Sequence, residues 1–239
     1  IRLSYLSSGD TYYWNGSVFS SATVSELSAT GRENWYYTDS AIENALLSGV
    51  YYKVESKSWD KSLNEEASWK SSTFLFDSGA VTFVVQKPQT ADLYYSPSKP
   101  LAAIYGTAVS ALSGVQKVNV KIEEVNTGGN LFWDGSYWVA SSTWVVASGT
   151  SSWSYPSPAW TDDKIYYVYV NVLDLAGNLS TNTTVAFTYD GYKPESFILN
   201  PGMAYHKAGS ISTISGTSRD VGTYMSGMLK TQIAIRQGG

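Results

Sequence analysis

The sequence predicts an all-β protein that consists of tandem copies of one β-sandwich module. Two observations carry this prediction: the chain contains an internal repeat, and apolar residues within a copy alternate with polar ones. A third observation is the aromatic content, with Trp 9, Tyr 19 and Phe 7 among 239 residues. So many aromatic residues favour strands over a helical bundle.

The repeat is clearest around two tryptophans that precede the same kind of turn. Trp14 is followed by Asn-Gly and Trp133 by Asp-Gly, at an offset of 119 residues. The positions that recur at a constant offset of 113 are Asp77 and Asp190, Pro88 and Pro201, and Ser113 and Ser226. The repeating unit is therefore 113 to 119 residues long.

This unit divides the chain into three copies: residues 1–78 (copy 1), 79–190 (copy 2) and 191–239 (copy 3). Only copy 2 is complete. Copy 1 corresponds to the C-terminal part of the unit and copy 3 to its N-terminal part. From this phase we expect the chain to be a segment of a much longer tandem array.

The first predicted elements are a hairpin and a short helical turn. Asn15-Gly16 and its counterpart Asp134-Gly135 lie between aromatic residues and predict type I′ turns. Residues 38–47 have helical spacing and begin with an Asp that could cap one or two helical turns.

The remaining elements are predicted as strands. Val118, Val120 and Ile122 alternate with polar residues, as in a strand with one buried and one solvated face. The segment from Tyr166 to Val172 repeats this alternation. Further strands are expected at 82–86, 101–105, 152–155 and 184–189. About seven short strands per copy, joined by turns, are typical of an immunoglobulin-like sandwich.

The motifs of copy 2 resemble the bacterial immunoglobulin-like (Big-type) repeats. They are Gly106-Thr-Ala, Ser113-Gly-Val, Asp174-Leu-Ala-Gly-Asn178 and Asp190 followed by Pro194. Copy 1 departs from the pattern, with Asp60-Lys-Ser-Leu-Asn64 at the Asp-x-Ala-Gly-Asn position. The resemblance implies modules of very large secreted or cell-surface proteins, where they act as spacer, stalk, adhesin or filament body.

Composition and charge exclude several classes of partner. The formal net charge is -4, with 16 Lys+Arg against 20 Asp+Glu, so the sequence lacks the basic excess of a nucleic-acid-binding protein. No apolar run approaches the roughly 20 residues of a membrane span. With Cys 0 and His 1, neither disulfides nor a Cys/His zinc site can form.

The sequence predicts no catalytic residues and no enzyme activity. His206 is the single histidine and has no counterpart in the other copies. The adjacent pairs Glu123-Glu124 and Asp162-Asp163 point to opposite faces if they lie on strands, so we expect solvated charges. No catalytic motif and no dedicated cofactor motif occurs.

Calcium is the one cofactor that the residue types allow. Asp174, Asn178 and Asp190 offer hard oxygen ligands of the kind that Ca²⁺ prefers. The alternative is a corner turn in which the Asp and Asn side chains bond to nearby backbone groups. We favour the turn, because no dense cluster of acidic residues completes six or more oxygen ligands.

Aromatic residues form the second set of candidate binding positions. They are Trp133, Tyr137, Trp138, Tyr167 and Tyr169. Their rings could stack on sugars, or they could fill the space between sheets and pack the hairpin onto its neighbour.

The sequence therefore predicts a non-catalytic structural segment of a long extracellular or cell-surface bacterial filament, stalk or adhesin. Its expected partners are other copies of itself, neighbouring repeats and cell-surface glycans. The alternative is a glycan-binding or accessory module of a secreted multidomain protein.

Overall fold

The computed structural model describes residues 1–21 and 23–237, which form an almost entirely β structure with one short helical turn. The all-β prediction is confirmed. The chain divides into two compact units. Unit 1 consists of Ile1–Val81, Ser110–Gly114 and Asp174–Leu179, and unit 2 of Thr82–Val109, Val115–Leu173 and the residues from Ser180 on.

Unit 1 is built on a five-stranded antiparallel sheet. Its elements are β1 (Arg2–Ser7), β2 (Asp10–Trp14), β3 (Phe19–Ser20), β4 (Thr30–Gly31), β5 (Trp35–Tyr36), α1 (Ile42–Ala45), β6 (Val50–Ser56) and β7 (Lys70–Phe76). The sheet order is β3-β2-β1-β6-β7, and β4 pairs with β5 separately. Leu3, Trp14 and Tyr52 form the buried core of this unit.

Unit 2 contains a large and a small sheet. Its strands are β8 (Thr82–Lys87), β9 (Tyr94–Tyr95), β10 (Ala103–Val109), β11 (Val115–Glu124), β12 (Leu131–Trp133), β13 (Trp138–Val139), β14 (Val145–Val146), β15 (Ser152–Pro156), β16 (Lys164–Asp174), β17 (Thr183–Tyr189), β18 (Glu195–Asn200) and β19 (Ser215–Arg219). The large sheet has the order β13-β12-β11-β16-β17-β9, with β14 also paired to β11. The small sheet is β15-β10-β8, and β18 pairs with β19 alone.

The predicted alternation holds in both long strands of unit 2. On β11, Val118, Val120 and Ile122 are fully buried, and the residues between them are more exposed. On β16, Tyr166, Val168, Val170 and Val172 are fully buried and Tyr167 and Tyr169 are more exposed, but Asn171 is buried as well. The apolar face of the large sheet is therefore the core of this unit.

Strand order recurs between the copies. The order β3-β2-β1-β6-β7 in copy 1 matches β13-β12-β11-β16-β17 in copy 2. In copy 3 the hairpin β18–β19 matches the pair β8–β10, since Glu195 lies 113 residues after Thr82. A buried tyrosine recurs as well: the hydroxyls of Tyr52 and Tyr166 each accept the backbone N–H five residues upstream, at 2.8 Å.

The predicted turn type is wrong in detail. Gly16 and Gly135 have positive φ, at 94° and 108°, but Asn15 and Asp134 do not. Glycine is thus the first central residue of each turn, as in type II′ rather than type I′. The Asn and Asp side chains precede the turn, and each Oδ1 accepts two backbone N–H groups across it at 2.7 to 2.9 Å.

The helical window 38–47 forms only the four residues of α1. Asp39 does not cap it at the N-cap position. Its carboxylate instead accepts the N–H of Ala41, the indole N–H of Trp14 and the hydroxyl of Tyr37, at 3.0 to 3.2 Å. The aspartate therefore ties the turn to the core tryptophan instead of extending a helix.

One segment of copy 3 differs in structure from its counterpart in copy 2. Ile233–Ile235 matches Val120–Ile122 of β11 in the repeat, but residues 231–237 have no regular structure, and both isoleucines are exposed. Strand β11 is held by neighbours on both sides. The part of copy 3 that the structure describes has no counterparts of those neighbours, and an unpaired strand is not stable in water.

Candidate functional site

The Asp174–Asn178 segment of unit 1 is a hydrogen-bonded corner. The Asp174 Oδ1 atom accepts the N–H groups of Ala176 at 3.0 Å and Asn178 at 2.8 Å. Its Oδ2 accepts the Asn178 amide at 3.0 Å and the Ser110 hydroxyl at 3.4 Å. Burial raises the pKa of Asp174, but hydrogen bonds from Asn178, and next from Ser113, lower it more, so the net pKa lies below the usual value. The carboxylate of the calcium candidate Asp174 is thus satisfied by protein donors.

A second carboxylate of unit 1, Asp77, lies directly after β7. We call Asp77 and its partners the Asp77 cluster. Asp77 Oδ2 accepts the N–H of Ser113 at 3.0 Å, and Oδ1 accepts the N–H of Gly79 at 2.7 Å. The Asn178 amide also donates to the Asp77 carbonyl oxygen at 2.9 Å. Hydrogen bonds from Ser113, and next from Gly79, hold the pKa of Asp77 below its ordinary value.

Unit 2 contains a matching Asp190 cluster. Asp190 lies directly after β17, and its Oδ2 accepts the N–H of Ser226 at 2.8 Å. Its Oδ1 accepts the N–H of Tyr192 at 3.3 Å. Both serine contacts span 36 residues, and all three positions of the cluster lie 113 residues after their counterparts in the Asp77 cluster. The calcium candidate Asp190 therefore has backbone partners of its own in unit 2.

Two of the acidic residues expected to be solvated are not. Asp163 Oδ1 accepts the N–H groups of Thr223 at 2.7 Å and Tyr224 at 2.5 Å, and the bond from Tyr224 lowers the pKa of Asp163. Glu124 is buried and accepts the Tyr166 hydroxyl at 2.9 Å. The sequence offered one indication that the backbone at Asp163 is unusual. Its counterpart in copy 1 is a glycine, Gly49, and both residues adopt positive φ.

The candidate tryptophans of the β12–β13 hairpin are partly buried. The Trp133 indole donates to the hydroxyl of Tyr155 at 3.1 Å. Trp133 and Trp138 pack edge to face with ring centroids 5.6 Å apart, and Trp138 also packs on Tyr166. Their main contacts are thus with the module itself. Tyr137, at the hairpin tip, is 74% exposed and is the one freely accessible member of this set.

Tyr167 and Tyr169 lie on the other face of β16, with ring centroids 6.3 Å apart. The Tyr169 hydroxyl donates to Glu123 at 2.6 Å, and the Lys121 ammonium lies 4.1 Å from its ring centroid. Burial and then Glu123 raise the pKa of Tyr169 to about 12. The Lys121 ammonium also lies 5.2 Å from the ring of Trp144.

A row of amides continues this face of the sheet. The Asn119 side chain donates to Asn171 at 2.7 Å, and Asn171 donates to Asn182 at 3.0 Å. The outer face of the large sheet therefore combines aromatic rings, a lysine and amide groups, of which Asn171 is buried.

Residues 1–21 and 23–237 contain no group of three or more His, Cys, Asp or Glu side chains placed to hold a metal ion. No helix in this part of the chain is long and apolar enough to cross a membrane. A pocket of about 350 Å³ in unit 2 has Lys87 and Lys99 in its lining, and Asp92 forms salt bridges with both.

Comparison of the chain with models of protein families and with curated proteins finds no match.

Proposed function

We propose that this chain is a non-catalytic structural segment of a long extracellular bacterial filament, stalk or adhesin made of tandem immunoglobulin-like repeats. One observation carries the proposal. An aspartate directly after the last strand of a copy accepts the backbone N–H of a serine 36 residues further on, once at Asp77 and again at Asp190. The same hydrogen bond therefore occurs in the first part of copy 2 and again in the first part of copy 3.

The architecture of copy 2 supports the immunoglobulin-like assignment. Its two sheets are antiparallel except where β9 pairs with β17, and their strands have alternating buried residues, as sandwich strands do. Tyr166 lies near the start of a central strand, and its hydroxyl bonds to the backbone upstream, as in the tyrosine corner of such sandwiches. Tyr52 makes the same bond in copy 1.

Each aspartate tie also suits a protein that is under mechanical tension. Hydrogen bonds to an ionised carboxylate are stronger than those between neutral groups. Asp77 and Asp190 each fix a 36-residue stretch of backbone at the point where one copy passes into the next. We infer that each tie keeps its stretch of backbone in place when the chain is under tension.

The proposal is tested by stretching the 239-residue chain between two handles in a force spectrometer. Copy 2 should unfold in one step that releases about 380 Å of contour length, at roughly 3.4 Å per residue. A gradual extension without a discrete step would contradict a structural role.

Glycan binding remains a second candidate, favoured by the exposed Tyr137 and by the outer face around Tyr169. A glycan array with the intact chain tests it. Binding that falls in the Tyr137→Ala or Tyr169→Ala variant, but not in Tyr51→Ala, would support it. Tyr51 is a matched control because it is 69% exposed in unit 1. Binding that all three variants retain would exclude these tyrosines as the site.

A further inference from the structure

Three polar side chains of unit 2 meet where the two central strands of its large sheet come together. Strand β11 ends at Glu124 and β16 begins at Lys164. Just beyond the end of β11, the N–H of Val125 donates to the carbonyl oxygen of Ile165 at 2.9 Å. This pairing brings the next residue, Asn126, beside Lys164, although the two lie 38 residues apart in the chain.

The Lys164 side chain is close to the side-chain amide carbon of Asn126. Its Nζ atom donates to the Asn126 Oδ1 atom at 2.5 Å. Since a carbonyl bond is about 1.23 Å long, Nζ lies no more than about 3.7 Å from Cγ of Asn126. Reacting atoms are about 3–3.5 Å apart in an arrangement that is ready for attack. The nitrogen of Lys164 is therefore within reach of this carbon.

Glu124 lies against the nitrogen of the same amide. Its Oε1 accepts the Asn126 Nδ2–H group at 3.0 Å, and its Oε2 accepts the Tyr166 hydroxyl at 2.9 Å. The glutamate is only 6% exposed, so bulk water has little access to the carboxylate. The tyrosine thus holds a buried carboxylate beside the nitrogen that would leave if the lysine attacked Cγ.

The corresponding positions of copy 1 show that the fold does not need this cluster. Opposite Tyr52, copy 1 has Tyr5 in place of the glutamate, and Ser7 in place of the asparagine. Strand β6 begins at Val50 in place of the lysine. Tyr52 nevertheless bonds to the backbone upstream as Tyr166 does. The three polar groups are therefore an addition of copy 2, which the requirements of the sheet do not explain.

We propose that Lys164 and Asn126 condense to an intramolecular amide bond with loss of ammonia. The lysine ammonium group first loses one proton to the solvent, and the free amine attacks Cγ of Asn126. The Nζ–Cγ bond forms and the Cγ–Nδ2 bond breaks. Glu124 takes the proton that Nζ gives up and passes it to Nδ2, which leaves as ammonia. Both nitrogens are attached to Cγ in the tetrahedral intermediate, so a carboxylate held against one is close to the other.

This bond does not depend on the proposed function, and it is tested without applying force. Intact-mass measurement of the purified 239-residue chain should give a mass lower than that of the sequence by one ammonia molecule. Proteolysis should then yield a branched peptide that joins Lys164 to Asn126. Lys164→Arg, which keeps the charge but supplies no nucleophilic amine, should have the full mass of its sequence. The matched control is Lys121→Arg, which removes a lysine of the same sheet that lies over the Tyr169 ring and should still lose ammonia.

Glu124→Gln tests the role of the carboxylate. Glutamine has nearly the same shape but does not take up the proton from the amine. This variant should keep its full mass while its tryptophan fluorescence remains that of the folded chain. A branched peptide in Glu124→Gln would show that the carboxylate is not the proton carrier.

The same bond should change the force trace, because residues 126–164 become a covalent loop that tension does not extend. Copy 2 should release about 130 Å less contour length than an unlinked copy, and Lys164→Arg should restore the longer step. A native chain of full mass would overturn the bond. So would a loss of ammonia that persists in Lys164→Arg, as a succinimide at Asn15-Gly16 would cause. A stepwise force trace from a chain of full mass would leave the structural role intact.

Discussion

The corner at Asp60–Asn64 and the corner at Asp174–Asn178 have the same internal bonds and different surroundings. In both, the Asp N–H donates to the Asn carbonyl, at 3.0 and 3.1 Å, and the Asp Oδ1 accepts the Asn N–H at 2.8 Å. Asp60 and Asn64 are exposed, whereas Asp174 is fully buried and also accepts from Ser110. The local sequence thus forms the corner, and neighbouring residues decide whether it becomes part of a core.

The largest expected effect comes from removing the buried aspartate. Asp174→Ala should cost about 2–4 kcal/mol of unfolding free energy, because four donors around it lose a charged acceptor. Chemical denaturation followed by tryptophan fluorescence measures this loss.

The control is Asp60→Ala, which removes the same turn bonds where water can replace them. Its loss should be less than half that of the buried variant. Equal losses in the two variants would show that the turn bonds, and not burial, account for the stability of the corner.

Acid should weaken both corners over the same pH range. Hydrogen bonds from Asn64 lower the pKa of Asp60, and Asp77 and Asp174 also titrate below their ordinary values. Because the folded pKa is below the unfolded value of about 3.9, these groups stabilise the fold fully above about pH 5. The melting temperature should be flat near neutrality and fall as the pH drops through the folded pKa values. In the Asp77→Asn variant the melting temperature should fall less steeply in acid than in the unmodified chain. An equally steep fall would contradict the assignment of part of the acid effect to Asp77.

A smaller effect is expected where Asp163 holds the backbone at Thr223 and Tyr224. Asp163→Gly gives copy 2 the residue that copy 1 has at Gly49, which tolerates the positive φ of 58° at this position. Amide hydrogen exchange at Thr223 and Tyr224 should rise about fivefold, the equivalent of one hydrogen bond. Asp162→Gly should leave both amides unchanged. Exchange that rises equally in the two variants would show that Asp163 does not hold this segment.

The smallest expected effect is a stabilisation of the exposed corner. Leu63 has a φ of 68°, where the matching residue of the buried corner is Gly177 at 95°. Leu63→Gly should raise the unfolding free energy by about 0.5–1 kcal/mol, since glycine tolerates this backbone at little cost. Gly177→Leu, the reverse exchange, should lower it by about 1–2 kcal/mol. A thermal melt of both variants distinguishes these signs.

Features that depend only on neighbouring residues along the chain could be predicted from the sequence. The strands β11 and β16 follow from the alternation of their valines, and the matching turns follow from Asn15-Gly16 and Asp134-Gly135. The turn type could not be predicted, because it depends on which pair of residues closes the hairpin. The absent strand at Ile233–Ile235 shows the same limit, since strand formation requires partners that the local sequence does not specify.

The candidate site was predictable only in part, for a related reason. Asp174 and Asn178 were identified as a corner from their spacing. Asp163 was not, because its acceptor role depends on backbone groups 60 and 61 residues away. The burial of Glu124 likewise depends on Tyr166 of a different strand.

The two aspartate ties have a consequence for how such sequences can diverge. Each tie ends on a backbone N–H, which every residue except proline supplies. Substitutions at Ser113 or Ser226 can therefore accumulate without breaking the link, provided that Asp77 and Asp190 are kept. Modules of different sequence could be exchanged or duplicated beside one another, because the central bond of the joint joins one acidic side chain to a backbone group.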